Sequence, residues 1–239
     1  LVLVDPQALT GPNTSRHELG SVWVGQNKAA GLREALLRKY PHLTSVTHHA
    51  ATWQEALARK LDLFADADLV VVAIGNWHAE AQFNDWHLRR GRVPAALYAW
   101  IEPRAGAGHA VAIGPAGGCF QCGFDESGGV QLPITIWPDA MMREREPGCG
   151  AVFQPYGPAE LAYIEALASE LAVEVLFDPL RVSMHRMWAA DRGFIECSKG
   201  SLNPEWVGGS PRRRDGGCRE EEPWASYERC AACSPSATA

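Results

Sequence analysis

The chain has no surplus of positive charge. Its 22 Lys and Arg stand against 28 Asp and Glu, a formal net charge of −6 at pH 7. Proteins that hold nucleic acid without regard to sequence are basic, so that class is disfavoured. No apolar run approaches the ~18 residues of a membrane span; the longest, Leu69 to Ile74, is the length of a strand. The apolar start lacks a basic leader and meets an acid at Asp5. No secretory signal is read there, and the cytoplasm is the expected compartment. The seven cysteines are an odd set, which argues against a closed disulfide framework and for metal binding or chemistry. What is present is apolar material, 46% of the residues. That is enough to bury a core, in one large domain or a domain with a tail.

Leu1 to Val4 is an apolar run without a polar break, the pattern of a strand buried on both faces of a parallel sheet. Asp5 then stands at the strand's carboxyl end, where open α/β sheets bind ligands. A loop with Asn13, Arg16 and His17 follows, and a helix opens after Gly25 with Lys28 in its first turn. One acid, two fixed cations and an amide around one strand end suit a nucleotide: the acid for its sugar, the cations for its phosphates. Taken singly, each also fits a turn cap or a solvated surface charge.

The order of these residues carries more. Asp5, then Asn13-x-x-Arg16, then Val24-Gly25-x-x-Lys28-Ala29 opening a helix resembles the ThiF family, the ubiquitin-activating-enzyme-like adenylyltransferases that include the molybdopterin-synthase activators. The resemblance implies a Rossmann-like α/β fold of the THIF type, with a mainly parallel sheet flanked by helices. It implies that Asp5 holds the ribose of ATP and that Asn13, Arg16 and Lys28 contact its phosphates. The activity it implies is ATP-dependent adenylation of the C-terminus of a ubiquitin-like or sulfur-carrier protein, by a homodimer. A complete domain of this family has one more strand before the position of Leu1, then a Gly-rich turn and a helix that cradle the phosphates. A chain that starts at Leu1 is therefore expected to bind ATP poorly by itself.

Further on, Gln26 to Tyr40 reads as a helix, Leu43 to Thr47 as a short strand and Thr52 to Phe64 as a second helix. Leu69 to Ile74 reads as a buried strand, His78 to Arg90 as a helix and Ala95 to Ile101 as another strand. This alternation marks βαβ units. Where the family usually has an Asp before the Asn that serves the Mg2+ of MgATP, this chain has Gly75-Asn76. Asn76 can still offer an amide oxygen to the cation, but the charge is missing. That departure opens a second reading, a binding or scaffold domain that keeps the fold without catalysis. Gly106-x-Gly108 precedes a strand, His109 to Ile113, so it reads as a tight turn and not as a dinucleotide loop. A nicotinamide-dependent oxidoreductase is the third reading; the sheet favours it, and the missing GxGxxG and the lack of an acid/base pair beside a hydride site stand against it. The run from Trp100 through Glu102 to Gly108-His109-Ala110 resembles the bacterial branch of the family fused to conjugation-enzyme domains.

Cys119-Phe120-Gln121-Cys122 and Cys230-Ala231-Ala232-Cys233 can each place two thiolates on one ion, and together complete a tetrahedral zinc site. Two unrelated buried or redox pairs are the alternative. The resemblance favours a structural Zn2+. Cys149 precedes an amphipathic helix, Pro158 to Phe177; it is either a nucleophile that takes the acyl group as a thioester or a small apolar residue. Arg181 to Trp188 and Arg192 to Cys197 read as an antiparallel hairpin. The adenylation domain is expected over 1–197, and an irregular tail over 198–239 tied down by its CxxC. His48, His49 and His87 are expected at the surface.

Overall fold

The computed structural model describes residues 1–59, 63–139, 144–145, 152–153 and 156–234. They form two compact units, Leu1–Asp66 and the residues from Ala67 onward. Among the described residues, no helix is long and apolar enough to cross a membrane.

In the first unit, β1 (Val2–Val4) pairs in parallel with β2 (Thr47–His49). Helix α1 (Lys28–Lys39) lies between them in sequence, and α2 (Trp53–Arg59) follows. Leu9, Leu19, Ala29, Val46, Ala56 and Phe64 form the buried interior. The expectation that β1 is buried on both faces is corrected: Leu1 is 61% and Val2 46% exposed. A two-stranded sheet covers only part of either strand. The second strand also starts later than expected, at Thr47.

The second unit contains, in order, β3 (Leu69–Val72), α3 (Trp77–Arg89), β4 (Ala95–Ile101), β5 (Ala107–Ile113), β6 (Thr135–Ile136), β7 (Glu144–Arg145) and β8 (Val152–Phe153). Then come α4 (Pro158–Phe177), β9 (Met184–Asp191), α5 (Arg192–Cys197), β10 (Ser201–Leu202), α6 (Pro204–Gly208) and β11 (Gly216–Pro223). Five strands make the central sheet, in the order β11-β9-β5-β4-β3.

The mainly parallel sheet expected for this fold is corrected here. Only the β3–β4 pairing is parallel; β4–β5, β5–β9 and β9–β11 are antiparallel. The turn between β4 and β5 is too short for the crossover that parallel strands need. It is the Gly106 turn, with Glu102 N–H bonded to Ala107 O, as its sequence context implied.

Side chains alternate across this sheet. On one face Leu97, Ala110 and Ala112 pack against Leu167, Leu171 and Val175 of α4, each large side chain contributing about 2 kcal/mol on burial. The same face requires Gly108: a Cβ there would lie 2.1 Å from Ile164 Cγ1. Helix α4 starts with Pro158 at its first position, and the Glu160 carboxylate accepts the Gly157 N–H at 3.0 Å, which fixes the entry of the helix.

The expected hairpin over 181–197 is not formed. Strand β9 runs through Ala189 and Ala190 to Asp191. The Asp191 carboxylate then accepts the Gly193 N–H at 2.8 Å and starts α5. The partner of β9 comes from the tail expected to be irregular, with β11 in register from Gly216 opposite Asp191 to Pro223 opposite Met184. Its charges are matched on both faces: Arg219 to Glu170, Glu221 to Arg186, and Glu220 and Glu222 to Arg213. His87 is not at the surface either. It is 1% exposed, and its Nε2–H donates to Pro94 O at 2.6 Å.

Candidate functional site

Asp5 follows β1 and extends its pairing, donating its N–H to His49 O at 3.1 Å. Its carboxylate accepts the Gln7 N–H at 2.7 Å. Asn27, the N-cap of α1, ties this strand end to the helix. Its Nδ2 donates to Asp5 O at 2.8 Å and Gln7 O at 3.1 Å, while its Oδ1 accepts the Ala30 N–H at 3.0 Å. Lys28, next in the chain, donates from Nζ to Gln7 Oε1 at 2.7 Å. Asp5 and Lys28 are thus brought together through Gln7 and Asn27.

Half-buried His17 belongs to the same neighbourhood. Burial lowers its pKa most and the Lys28 cation lowers it further, while Asp5 and Glu18 act the other way. Its Nδ1 accepts the Leu19 N–H at 3.0 Å, so the ring hydrogen of the neutral form sits on Nε2. Asn13 lies on the 3-10 turn Gly11–Ser15, and Arg16 is the C-cap of that turn. The Asn13 Oδ1 accepts both the N–H and the hydroxyl of Thr10, at 3.1 and 3.0 Å. Its NH2 is the end suited to an anion. The Arg16 N–H donates to Asn13 O at 3.1 Å.

In the second unit, Asn76 is the N-cap of α3, its Oδ1 accepting the Ala79 N–H at 3.1 Å. Gly75 has φ +70°, a left-handed conformation that an Asp would adopt only with strain. The acid at this strand end is Glu80 instead. One carboxylate oxygen accepts the N–H groups of Ile74 and Gly75, both at 2.9 Å. Burial raises the Glu80 pKa, and those two bonds oppose the rise.

The two CxxC pairs meet. The Sγ atoms of Cys119, Cys122, Cys230 and Cys233 all lie within 4.8 Å of one another. The measured edges are 3.9 Å (Cys119–Cys122), 3.7 Å (Cys119–Cys230) and 3.4 Å (Cys122–Cys233). Four thiolates about 2.3 Å from one zinc ion would stand ~3.8 Å apart. N–H donors support the sulfurs: Tyr227 N on Cys122 at 3.4 Å and Asn84 Nδ2 on Cys119 at 3.6 Å. Cys119 is pushed up by its hydrogen bond to Cys122 and by burial, and burial pushes Cys233 up to about 11. A bound cation is what would let all four ionise together. The remaining candidate, Cys149, lies outside the described residues.

Asn27, Gln7, His17 and Glu80 had not been singled out as site residues from sequence. The one signal available was an Asn immediately before a helical repeat.

No protein-family model and no curated protein sequence matches the chain. Solved structures do. E. coli MccB aligns with a TM-score of 0.59 at 14% identity over 98% of this chain. E. coli MccB with ATP aligns at 0.55 and 15% over 97%, and selenomethionyl PaaA at 0.53 and 13% over 95%. The chain spans 58% of MccB and 56% of the PaaA chain. At these identities the likeness establishes a shared α/β fold.

Proposed function

We propose that this chain is the adenylating part of a ThiF-type enzyme, which uses ATP to activate the C-terminal carboxylate of a peptide or small protein. The observation that carries the reading is the junction of β1 and α1, where Asn27 and Gln7 hold Asp5 and Lys28 side by side. Support for the reaction class comes from E. coli MccB, solved with ATP and with AMPCPP and MccA.

In this reading Asp5 takes the ribose hydroxyls. Lys28 leaves Gln7 for a phosphate oxygen, and Arg16 and the Asn13 NH2 complete the phosphate contacts. These are charge-assisted bonds, worth about 1.5–3 kcal/mol each. ATP supplies the electrophilic α-phosphate: the substrate carboxylate attacks it, and an acyl-adenylate and pyrophosphate result. The residues contribute position and charge, the usual means of phosphate chemistry. The four-cysteine cluster takes one structural Zn2+, since its sulfur spacings and N–H donors fit that ion. A ubiquitin-like or sulfur-carrier partner, a homodimer, an attached conjugation-enzyme domain and acyl transfer to Cys149 belong to the same proposal.

The test is ATP–pyrophosphate exchange by the full-length parent protein, with candidate peptides and small β-grasp proteins. Exchange that depends on such a partner and is lost in Lys28→Ala supports the reading. No exchange with any of them, beside an active control enzyme, contradicts it. A specific observation favours one rival. Gly75 removes the metal acid, as in a domain retained for binding alone. Where the parent shows no exchange, Gly75→Asp, compared with Gly75→Asn for the shared backbone strain, divides what remains: rescued exchange indicates a decayed enzyme, and silence indicates a scaffold.

A further inference from the structure

Strand β11 is poorly equipped to hold itself on the central sheet. Six of its eight residues are Gly, Glu or Pro, types that are depleted in strands. Its first two, Gly216 and Gly217, have φ of +64° and +58°. None of the eight is fully buried. It is an edge strand, paired among the described residues with β9 alone. Glu220 against Arg213 is its one sheltered ion pair; the Glu221 and Glu222 carboxylates are half-exposed, and exposed pairs contribute little. Its hold on the sheet therefore depends on its two ends.

At the Gly216 end the anchor is Arg192, whose N–H donates to Asp215 O at 2.8 Å and whose Nε–H donates to Arg214 O at 3.0 Å. At the Pro223 end the anchor is Trp224. Its N–H donates to Ser183 O at 2.8 Å, and its carbonyl accepts the Gly118 N–H at 2.7 Å. Its indole N–H donates to Cys119 O at 2.8 Å. The ring lies flat on the backbone of the first CxxC turn: a Cβ at Gly123 would stand 2.3 Å from Trp224 Cη2. Beyond Trp224, the Tyr227 N–H donates to Cys122 Sγ at 3.4 Å. Cys230 follows, its Sγ 3.7 Å from Cys119 Sγ. The strand thus runs straight into the four-cysteine cluster.

The two halves of that cluster are secured differently. The first is tied to α3: Asn84 Oδ1 accepts the Phe120 N–H at 3.0 Å, and Gln121 Nε2 donates to Asp85 Oδ1 at 2.7 Å. The second is the loose one, since residues 225–229 are all exposed. Thiols are weak hydrogen-bonding groups. A bound ion would instead join the halves by four metal–sulfur bonds, and binding of this kind is itself folding free energy.

We propose that the cluster is a metal-operated clasp for β11. An ion bound there locks Trp224 onto the first CxxC turn and so holds residues 216–223 on β9. Loss of the ion releases that strand, while α4 and β3 to β5 stay packed. The inference rests on the zinc reading above and goes beyond a general structural metal, because the element that answers to the ion is one edge strand. Its release takes Glu221 from Arg186, which keeps Glu174, and takes both Glu220 and Glu222 from Arg213.

The test is amide hydrogen exchange, read by mass spectrometry, on the purified protein loaded with Zn2+ and on the same protein stripped by a chelator under reducing conditions. Metal content is measured on both samples. The stripped protein should exchange about tenfold faster over residues 216–223, with little change over residues 161–175 of α4. Trp224→Phe keeps a ring and loses the indole donor; it should retain the ion and exchange faster over 216–223 than the loaded wild type. The loaded and stripped wild type are compared with each other, so poor folding of the variant leaves the test intact. Bound Zn2+ with the same exchange over 216–223 in both samples overturns the inference and leaves the zinc reading standing. Faster exchange spread equally over 161–175 does the same. A protein that binds no Zn2+ overturns both.

Discussion

Asn27 Nδ2 lies 2.8 Å from the backbone oxygen of Asp5. One side chain therefore caps helix α1 and fixes the end of β1. The loop between them, 21 residues carrying Asn13, Arg16 and His17, is closed at its base by this contact.

Asn27→Ala removes the cap and both ties. A lost N-cap costs about 1 kcal/mol, and the two freed carbonyls add to that. Asn27→Asp keeps the acceptor for Ala30 but loses the donors. Urea denaturation should rank the wild type most stable, Asn27→Asp second and Asn27→Ala last. Asn27→Asp as stable as the wild type would show that the ties to Asp5 and Gln7 contribute nothing, and equal stability of the two variants would show the same of the cap.

The cysteine cluster predicts one zinc ion per chain by metal analysis of the purified protein. Removal by a chelator should lower the melting temperature, and added Zn2+ should restore it. Cys230→Ser should do the same without the chelator. A metal-free protein with reduced thiols and an unchanged melting temperature would exclude a structural role for the metal.

Stability should fall in mild acid. His185 titrates at about 4 in the folded chain, against 6.5 unfolded. Between those values the unfolded chain binds a proton that the folded chain refuses. The contribution is complete above pH 6.5 and is lost as pH falls through 4, on the order of 3 kcal/mol in all. His87, also lowered by burial, acts in the same direction. Denaturation at pH 7, 5.5 and 4.5 measures the slope, and His185→Phe should flatten part of it. An unchanged slope in that variant would contradict this assignment.

Leu171→Ala on α4 should destabilise the second unit by about 2–5 kcal/mol, because Leu171 is 1% exposed against β4 and β5. Tyr163, 59% exposed on the same helix, stacks on Trp188, and its replacement by Ala should cost under half as much. Denaturation curves of the two variants give the comparison.

Much of the fold was legible because apolar spacing records one-sided burial. Helices α1, α3 and α4 and strands β3 to β5 fall within a few residues of their expected bounds. Strand β11 was not legible. Its Arg219, Glu220, Glu221 and Glu222 read as solvated charge, and only the distant partners Glu170, Arg186 and Arg213 make them strand residues. The end of β9 was misread because Asp191 looks like a turn residue, whereas it caps a helix. The four-cysteine cluster was legible because CxxC spacing is local chemistry. The buried contacts of His109 with Glu102 and His185 were not, since the two histidines are 76 residues apart and neither has a neighbour in sequence at metal or catalytic spacing.

The central claim is that Asp5 and Lys28 grip one nucleotide, and it is tested most directly by ATP–pyrophosphate exchange in the full-length parent protein. The account predicts partner-dependent exchange that falls at least tenfold in both Asp5→Asn and Lys28→Ala, each losing about 1.5–3 kcal/mol of charge-assisted binding, while both variants stay folded. Exchange at the wild-type rate in either folded variant would contradict it.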